Sequence, residues 1–162
     1  FEMAVRAVIG QQVSFAAAST IVGRVVALAG KPLTAPDGVI THVFPSAELL
    51  AETDLGPLGV PATRRKTLVE LARRVAGGEI DLDPGADREA THEALLRIPG
   101  IGPWTASYVV MRALGDPDAF LPTDLGVKKV AAQLGISDLA MSSEKWRPWR
   151  SYAVQYLWSA YE

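Results

Sequence analysis

The residues with the clearest chemical potential are a glycine-rich turn at 98–102, Ile-Pro-Gly-Ile-Gly, and an aspartate farther along the chain, Asp124. Helical patterns flank the turn, and Pro103 suits the first turn of the second helix, where its missing N–H has no partner to lose. That helix then begins with exposed backbone N–H groups, which together with the helix dipole suit one phosphate oxygen. The pattern therefore indicates contact with a nucleic-acid backbone.

Asp124 follows an apolar segment that contains Pro122, which indicates a chain crossing the interior to the start of a helix. Its plainest role is that of an N-cap, a position where aspartate is common. A second role is catalytic, because an anion held at a helix N-terminus stabilises the positive charge that develops on a sugar as its base leaves. The same group can orient or deprotonate the attacking water. The helix predicted between the turn and Asp124 would hold the carboxylate at a set distance from a bound backbone.

Three aromatic residues form a second group. Trp104 and Tyr108 are four residues apart and share one face of a helix, and Trp158 lies in the apolar terminal helix. They are either ordinary core residues or a stacking pocket for a base extruded from a duplex. Their electron-rich faces would favour a cationic, alkylated base.

Basic stretches and one polar loop offer further contacts. Each basic stretch is either a solvated helix face or a surface for phosphates, and Lys128, one turn from Asp124, is expected to contact DNA. The loop at 10–14 is either a plain helix junction or a segment that probes DNA. His42 and His92 lack companion ligands, which argues against a metal site. The basic stretches are Arg64-Arg65-Lys66, Arg73-Arg74, Lys128-Lys129 and 145–150.

The composition limits the kinds of protein to which this chain can belong. The 162 residues, 49% of them hydrophobic, suffice for one domain or for two small lobes that share a cleft. The absence of cysteine excludes a disulfide framework, a cysteine-bound zinc and an iron–sulfur cluster. A net charge of −2 confines any nucleic-acid contact to a local face. The sequence has no signal peptide or membrane-spanning run, and it begins at Phe1 without Met, so we expect a fragment of a longer protein.

Nearly every segment has a helical pattern, and we predict an all-α architecture with short loops. Glycine ends several of the helices, and Ser46 and Asp87 are predicted N-caps. A weak strand pattern covers 38–44. The predicted helices cover residues 2–9, 14–29, 46–52, 63–76, 87–97, 103–114, 124–134 and 143–161, the last of them broken before Pro148.

Four stretches together resemble the helix-hairpin-helix DNA glycosylase (HhH-GPD) superfamily, and in particular its 3-methyladenine DNA glycosylase II, or AlkA-type, branch. They span the chain in the family's order and spacing. The stretches are FEMAVRAVIGQQVS, LRIPGIGPWTASYVVMRALG, FLPTDLGVKK and WRPWRSYAVQYLW. The resemblance implies one glycosylase domain over residues 1–162, with two helical lobes around a cleft and the helix-hairpin-helix at about 88–114.

The resemblance also implies roles for the candidate residues. Asp124 is expected to be the catalytic aspartate, and Trp104, Tyr108 and Trp158 are expected to line the base pocket. Gln12 falls at the position of the residue that fills the gap left by the flipped base. A monovalent cation, sodium or potassium, is expected at the hairpin, at Ile98 and Gly100, with no other cofactor. The phosphate-binding hairpin is expected to comprise Pro99, Gly100, Ile101 and Gly102.

Four differences from members of the family shape the expected chemistry. Lyase-competent relatives carry a lysine nucleophile directly before the hairpin-helix threonine, whereas this chain has Trp104 before Thr105, so no amine is available for a Schiff base. Gln12 replaces an apolar intercalating side chain. Leu125-Gly126 follow the aspartate where relatives carry an aromatic residue, which indicates a wider or differently selective pocket. The family's N-terminal β-domain is absent from this sequence.

The expected function is base excision repair of damaged double-stranded DNA. A monofunctional enzyme would flip an alkylated purine such as 3-methyladenine out of the duplex and hydrolyse its N-glycosidic bond with water, leaving an abasic site. The alternatives are a non-catalytic helix-hairpin-helix module that binds DNA or senses damage, and a glycosylase for mismatched or deaminated bases. We expect a monomer in the bacterial cytoplasm, at the nucleoid when acting, with no membrane partner.

Overall fold

The computed structural model describes residues 1–161. None of the helices in this part of the chain is long and apolar enough to cross a membrane. The elements are α1 (Glu2–Ile9), α2 (Phe15–Ala29), β1 (Lys31–Asp37), β2 (Ile40–Val43), α3 (Ala47–Glu52), α4 (Ala62–Ala76), α5 (Arg88–Leu96), α6 (Pro103–Ala113), α7 (Leu125–Gln133), α8 (Leu139–Glu144) and α9 (Arg150–Ser159), with one 3₁₀ turn at Gly56–Leu58.

Local capping explains where several helices begin. Ser46 accepts a hydrogen bond from the Leu49 N–H at 3.4 Å, and Asp87 accepts one from the Ala90 N–H at 3.0 Å, so both predicted N-caps are confirmed. Such caps satisfy backbone donors that the first helical turn leaves unpaired. Apart from α8 and α9, the predicted helix ends agree with the structure to within one residue at most positions.

Two segments differ from the sequence-based prediction. The weak strand pattern at 38–44 is half of a hairpin, in which β2 pairs antiparallel with β1. Pro32 and Pro36 hid β1, because proline lacks an N–H for a ladder and argues against a strand, yet a two-stranded ribbon has edges that tolerate it. In the segment predicted as helix over 143–161, the break before Pro148 is confirmed, since α8 ends at Glu144 and α9 begins at Arg150. The start is different: α8 begins earlier, at Leu139, because Asp138 caps it through the Met141 N–H at 2.9 Å.

The core is divided into two clusters that meet at α6. The larger cluster draws on α1 to α6, and the smaller one on α6, α7 and α9. Tyr108 on α6 packs against both clusters, so α6 joins the two lobes. Each fully buried leucine in them contributes about 2 kcal/mol relative to an exposed one. The largest buried side chains include Ile9, Leu50, Leu58, Leu68, Leu71, Leu95 and Ile98 in the larger cluster and Leu121 in the smaller.

An ion-pair cluster holds the start of α9 against the segment before α7. Arg150 donates two hydrogen bonds to the Asp118 carboxylate, from Nε at 2.8 Å and Nη2 at 2.9 Å, in the bidentate arrangement that guanidinium groups favour. Burial by itself raises the pKa of Asp118, but the hydrogen bonds and charge of Arg150, together with the charge of Arg147, outweigh it and lower that pKa. The cluster therefore sets the direction of α9, which carries Trp158.

Candidate active site

The carboxylate of Asp124 is held by three N–H donors from three parts of the fold. Oδ1 accepts from the Val127 backbone N–H at 2.9 Å and from the Trp158 indole Nε1 at 2.9 Å. Oδ2 accepts from the Trp104 indole Nε1 at 3.0 Å. Asp124 is thus the N-cap of α7 and also the acceptor for both predicted tryptophans. The N-cap role and a charge fixed in a cleft are compatible at this residue.

The aromatic group stacks behind this carboxylate. The rings of Trp104 and Tyr108 are stacked, with centroids 5.1 Å apart and planes inclined by 11°. Tyr108 is also 6.1 Å from Trp158, at an inclination of 51°. Both tryptophans line the cleft, whereas Tyr108 packs against the two cores and supports Trp104 from behind. The structure therefore brings the three predicted aromatic residues together, but Tyr108 is not among the residues that line the cleft.

A cleft of about 1080 Å³ separates the two lobes and contains Asp124. Its volume is sufficient for a nucleobase with its sugar, since small-molecule sites span roughly 300–1,000 Å³. One wall belongs to the larger lobe and the opposite wall to the smaller. The lining residues are Gly10, Gln11, Gln12, Val13, Pro61, Thr63, Arg64, Thr67, Gly100, Trp104, Thr105, Thr123, Asp124, Leu125, Gly126, Trp158 and Tyr161.

The predicted hairpin connects α5 to α6 at the rim of this cleft. The Ile101 N–H closes the turn on the Ile98 carbonyl at 3.0 Å, and Gly100 adopts a left-handed φ of +95°. Pro99, Gly100 and Gly102 are exposed, whereas the Ile101 side chain is buried, so Ile101 offers only its backbone to a ligand. Gly102 directly precedes α6, whose first N–H groups are the expected phosphate donors.

Thr67 on α4 fixes the position of the hairpin. Its hydroxyl donates to the Pro99 carbonyl at 2.8 Å. A Cβ built on Gly100 would overlap that same hydroxyl oxygen, so glycine is required here for both its φ and its lack of a side chain. Sequence reasoning missed Thr67, because a lone threonine in a helix carries no signal of its distant partner.

The loop between α1 and α2 is tied to the hairpin through Gln11. Its side-chain Nε2 donates to the Gly100 carbonyl and to Thr105 Oγ1, each at 3.0 Å, and Arg64 donates to its backbone carbonyl at 2.7 Å. Gln12 is exposed and adopts a left-handed φ of 56° at the cleft. Non-glycine residues in this region carry strain. The Gln11 contacts therefore fix the loop that carries the exposed Gln12 at the cleft.

The remaining predictions concern Lys128, a metal site and Leu125. Lys128 is exposed on the first turn of α7, and its backbone N–H bonds the Asp124 carbonyl at 3.0 Å. Within residues 1–161 there is no group of three or more His, Cys, Asp or Glu side chains that could hold a metal ion. Leu125 is 79% exposed and lines the cleft.

Comparison with known proteins places this geometry in a family. Residues 5–148 match the sequence model of the HhH-GPD superfamily base excision DNA repair proteins. The chain is 49% identical to the probable bifunctional transcriptional activator/DNA repair enzyme AlkA of Mycobacterium tuberculosis, over 99% of this chain and 33% of that protein. It is 36% identical to DNA-3-methyladenine glycosylase 2 of Escherichia coli K12, over 98% of this chain and 56% of that protein.

A solved structure shares the fold. The 8-oxoguanine glycosylase/lyase of Clostridium acetobutylicum, crystallised with double-stranded DNA containing cytosine opposite 8-oxoG, has a TM-score of 0.81 and 25% identity to this chain. The match covers 98% of this chain and 58% of the other. The chain spans between a third and about half of the length of the two curated relatives it matches. With the family model matched from residue 5 to residue 148, the chain belongs to the HhH-GPD superfamily of base excision DNA repair proteins.

Proposed function

We propose that this chain is a monofunctional DNA glycosylase that flips an alkylated purine, such as 3-methyladenine, out of duplex DNA and hydrolyses its N-glycosidic bond. The observation that carries the proposal is the Asp124 carboxylate, held by two indole N–H groups in a cleft whose rim carries the hairpin. Relatives named as 3-methyladenine glycosylases support the substrate class. A pure DNA-binding module has no use for a charge fixed in this way.

The geometry suggests how the reaction proceeds. The extruded base stacks on the tryptophan rings, and its sugar lies next to Asp124. As the C1′–N bond breaks, positive charge develops on the sugar and the fixed carboxylate stabilises it. Asp124 also orients the water that attacks C1′, and the product is an abasic site. Alkylation already makes the base a good leaving group, so the mechanism needs no side chain to protonate it.

The absence of an amine before Thr105 favours hydrolysis over lyase chemistry. Trp104 occupies that position, and its indole N–H is already donated to Asp124. An indole cannot form the Schiff base that a lyase step requires. Water is therefore the nucleophile in this proposal.

The hairpin and the loop before α2 would grip the DNA. The N–H groups at the start of α6 bind a phosphate, and Gln12 fills the gap left by the flipped base. A sodium or potassium ion fits the hairpin, because the Ile98 and Gly100 carbonyls each accept one hydrogen bond and keep a second lone pair. Such an ion would add positive charge beside the phosphate.

The partner is damaged double-stranded DNA, and one copy of the chain suffices for the cleft. Asp124, both tryptophans and the hairpin residue Gly100 line the same cleft. We therefore propose a monomer that acts on DNA in the bacterial cytoplasm. The single-turnover release of 3-methyladenine and 7-methylguanine from a methylated duplex tests the function directly.

The same assay separates the alternatives. Duplexes that contain uracil, hypoxanthine or 8-oxoguanine are run beside the methylated one, because a relative of the same fold acts on 8-oxoguanine DNA. Release from those duplexes but not from the methylated one would assign the chain to deaminated or oxidised bases. Binding to all of them with no release would make it a damage-binding module.

Trp158→Phe tests the role of the indole N–H on Asp124. The phenyl ring keeps an aromatic face for the base but removes the donor to Oδ1. A hydrogen bond to a charged group is worth about 1.5–3 kcal/mol, so we expect the saturating rate of base release to fall by about ten-fold or more. Single-turnover kinetics measure this rate, and duplex affinity should change by less than about three-fold.

Trp146→Phe is the matched control. Trp146 packs edge-on against Phe120, with centroids 6.1 Å apart, in the smaller core and away from the cleft lining. Its replacement should leave the rate of base release unchanged. An equal loss of rate in both variants would show that the effect of Trp158→Phe comes from packing, and the orienting role of the indole N–H would be rejected.

A further inference from the structure

Gly126 in the first turn of α7 is buried and creates space beside Asp124. A Cβ at this position would lie 3.3 Å from Asp124 Oδ1, 3.3 Å from Trp158 Cδ1 and 3.4 Å from Tyr161 Cγ. Its φ is not in the left-handed region, so glycine is required here for room and not for conformation. The missing side chain lets Trp158 and Tyr161 lie directly on the helix.

Tyr161 therefore packs against the first turns of α7. Gly126 and Lys129 are three residues apart on α7 and share a face. Tyr161 Cγ is next to Gly126, and the Lys129 ammonium is 4.8 Å from the centroid of the same ring. Tyr161 is 48% exposed and lines the cleft, so part of its side chain is accessible from the cleft.

The ring of Tyr161 lies near the part of the pocket wall that Leu125 leaves open. Leu125 lines the cleft next to Asp124 but is 79% exposed, so it packs against little and forms a poor wall. The sequence accordingly predicts a wider pocket on this side. Tyr161 comes from the segment after α9 and places an aromatic ring within reach of the same position, beside Trp158 and Asp124.

We propose that Tyr161 is a specificity-determining residue of this site, whose ring stacks on the extruded purine beside Trp158. The inference rests on the proposed function and names a base contact that the aromatic residues of α6 and α9 do not provide. Stacking does not read hydrogen-bonding groups, so Tyr161 selects for a large flat base over a pyrimidine. The Lys129 ammonium already lies over this ring, so the contact acts through ring area more than through the charge of the base.

The test compares Tyr161→Ala and Tyr161→Phe with the wild type and with Tyr156→Ala. Tyr156 is a 74% exposed tyrosine on α9 that does not line the cleft, so its variant controls for the loss of a surface ring. Base release from a methylated duplex is measured in single turnover over a range of protein concentrations. Equilibrium binding to the methylated and the unmodified duplex is measured beside it.

We expect Tyr161→Ala to raise the half-saturating protein concentration by about ten-fold, from the usual contribution of one base stack, with a smaller change in the saturating rate. Tyr161→Phe and Tyr156→Ala should match the wild type. The preference for purine over pyrimidine lesions should shrink in Tyr161→Ala alone. Circular dichroism confirms that each variant is folded.

The inference is overturned if Tyr161→Ala stays within two-fold of the wild type, or if Tyr161→Phe is as impaired as Tyr161→Ala, because the ring face would then not be the active feature. Failure of the proposed function gives a different result. A wild type that prefers the methylated duplex but releases no base overturns the function alone, and the contribution of Tyr161 is then measured from that preference. A wild type with neither release nor preference overturns both.

Discussion

Asp124→Asn is expected to lower the rate of base release by at least about 10²–10³-fold, the usual cost of removing one preorganised electrostatic group from a transition state. Asparagine keeps the volume of the side chain and is as good an N-cap as aspartate, so α7 should still begin at the same residue. The negative charge is lost, and the amide NH₂ would face one of the two indole donors that now meet the carboxylate. Single-turnover kinetics on methylated duplex DNA measure the effect.

The matched control is Asp138→Asn. Asp138 caps α8 through the Met141 N–H at 2.9 Å, just as Asp124 caps α7 through Val127, but it does not line the cleft. Its variant should release bases at the wild-type rate. Duplex affinity should be equal or higher in Asp124→Asn, because a negative charge near the phosphates is removed. If Asp124→Asn retained more than a tenth of the wild-type rate, the anion would not be the source of catalysis.

Gly100→Ala is expected to have the largest effect on affinity for duplex DNA. The Cβ overlaps the Thr67 hydroxyl, and the backbone has a φ of +95° that alanine adopts only with strain. Strain of this kind costs about 1–3 kcal/mol, and the hairpin must also move away from α4 to relieve the overlap. We expect the free energy of unfolding to fall by about 2 kcal/mol or more. Duplex affinity should also fall, because the N–H groups that we propose to bind phosphate move with the hairpin.

Substitutions at two other glycines distinguish the effect of backbone strain from that of the steric overlap. A Cβ at Gly102 meets nothing within 4 Å and that residue has a φ of −95°, so Gly102→Ala should keep the wild-type stability in urea denaturation. Gly115 has a φ of +63° with no neighbour within 4 Å, so Gly115→Ala carries the strain without the overlap. Gly115→Ala should therefore lose some stability but keep duplex affinity. Equal stability of Gly100→Ala and Gly102→Ala would contradict the packing of Thr67 under the hairpin.

Much of the fold was accessible from the sequence because it depends on neighbouring residues. The N-caps at Ser46, Asp87 and Asp124 each act on an N–H three residues ahead, so a short segment contains both partners. The hairpin at 98–102 is similar, since its proline fixes φ locally and its glycine at position 100 permits the left-handed φ of the turn. Strand β1 was hidden for the opposite reason, whereas β2 lies within the weak strand pattern predicted at 38–44. The prolines of β1 disfavour a strand, and its residues are largely exposed, so it carries no alternating pattern.

The sequence predicted which residues belong to the candidate site but not how they contact one another. Asp124, Trp104 and Trp158 were named from the sequence, as a possible N-cap and as ring faces for stacking. The structure adds that the two indole edges donate to the carboxylate, across 20 and 34 residues of chain. No periodicity in the sequence contains that information, because it depends on how α6, α7 and α9 pack around the smaller core.

The sequence by itself determined most of the helices, the caps at Ser46, Asp87 and Asp124 and the turn at 98–102, because each of these follows from residue types within a few positions of one another. The order and spacing of four stretches along the chain determined the family. The tertiary structure alone decided that Gln11 ties its loop to the Gly100 carbonyl 89 residues away, and that Gly126 leaves room for Tyr161. Such contacts are set when two lobes close on a shared helix, and a linear pattern does not record which side chains then face each other.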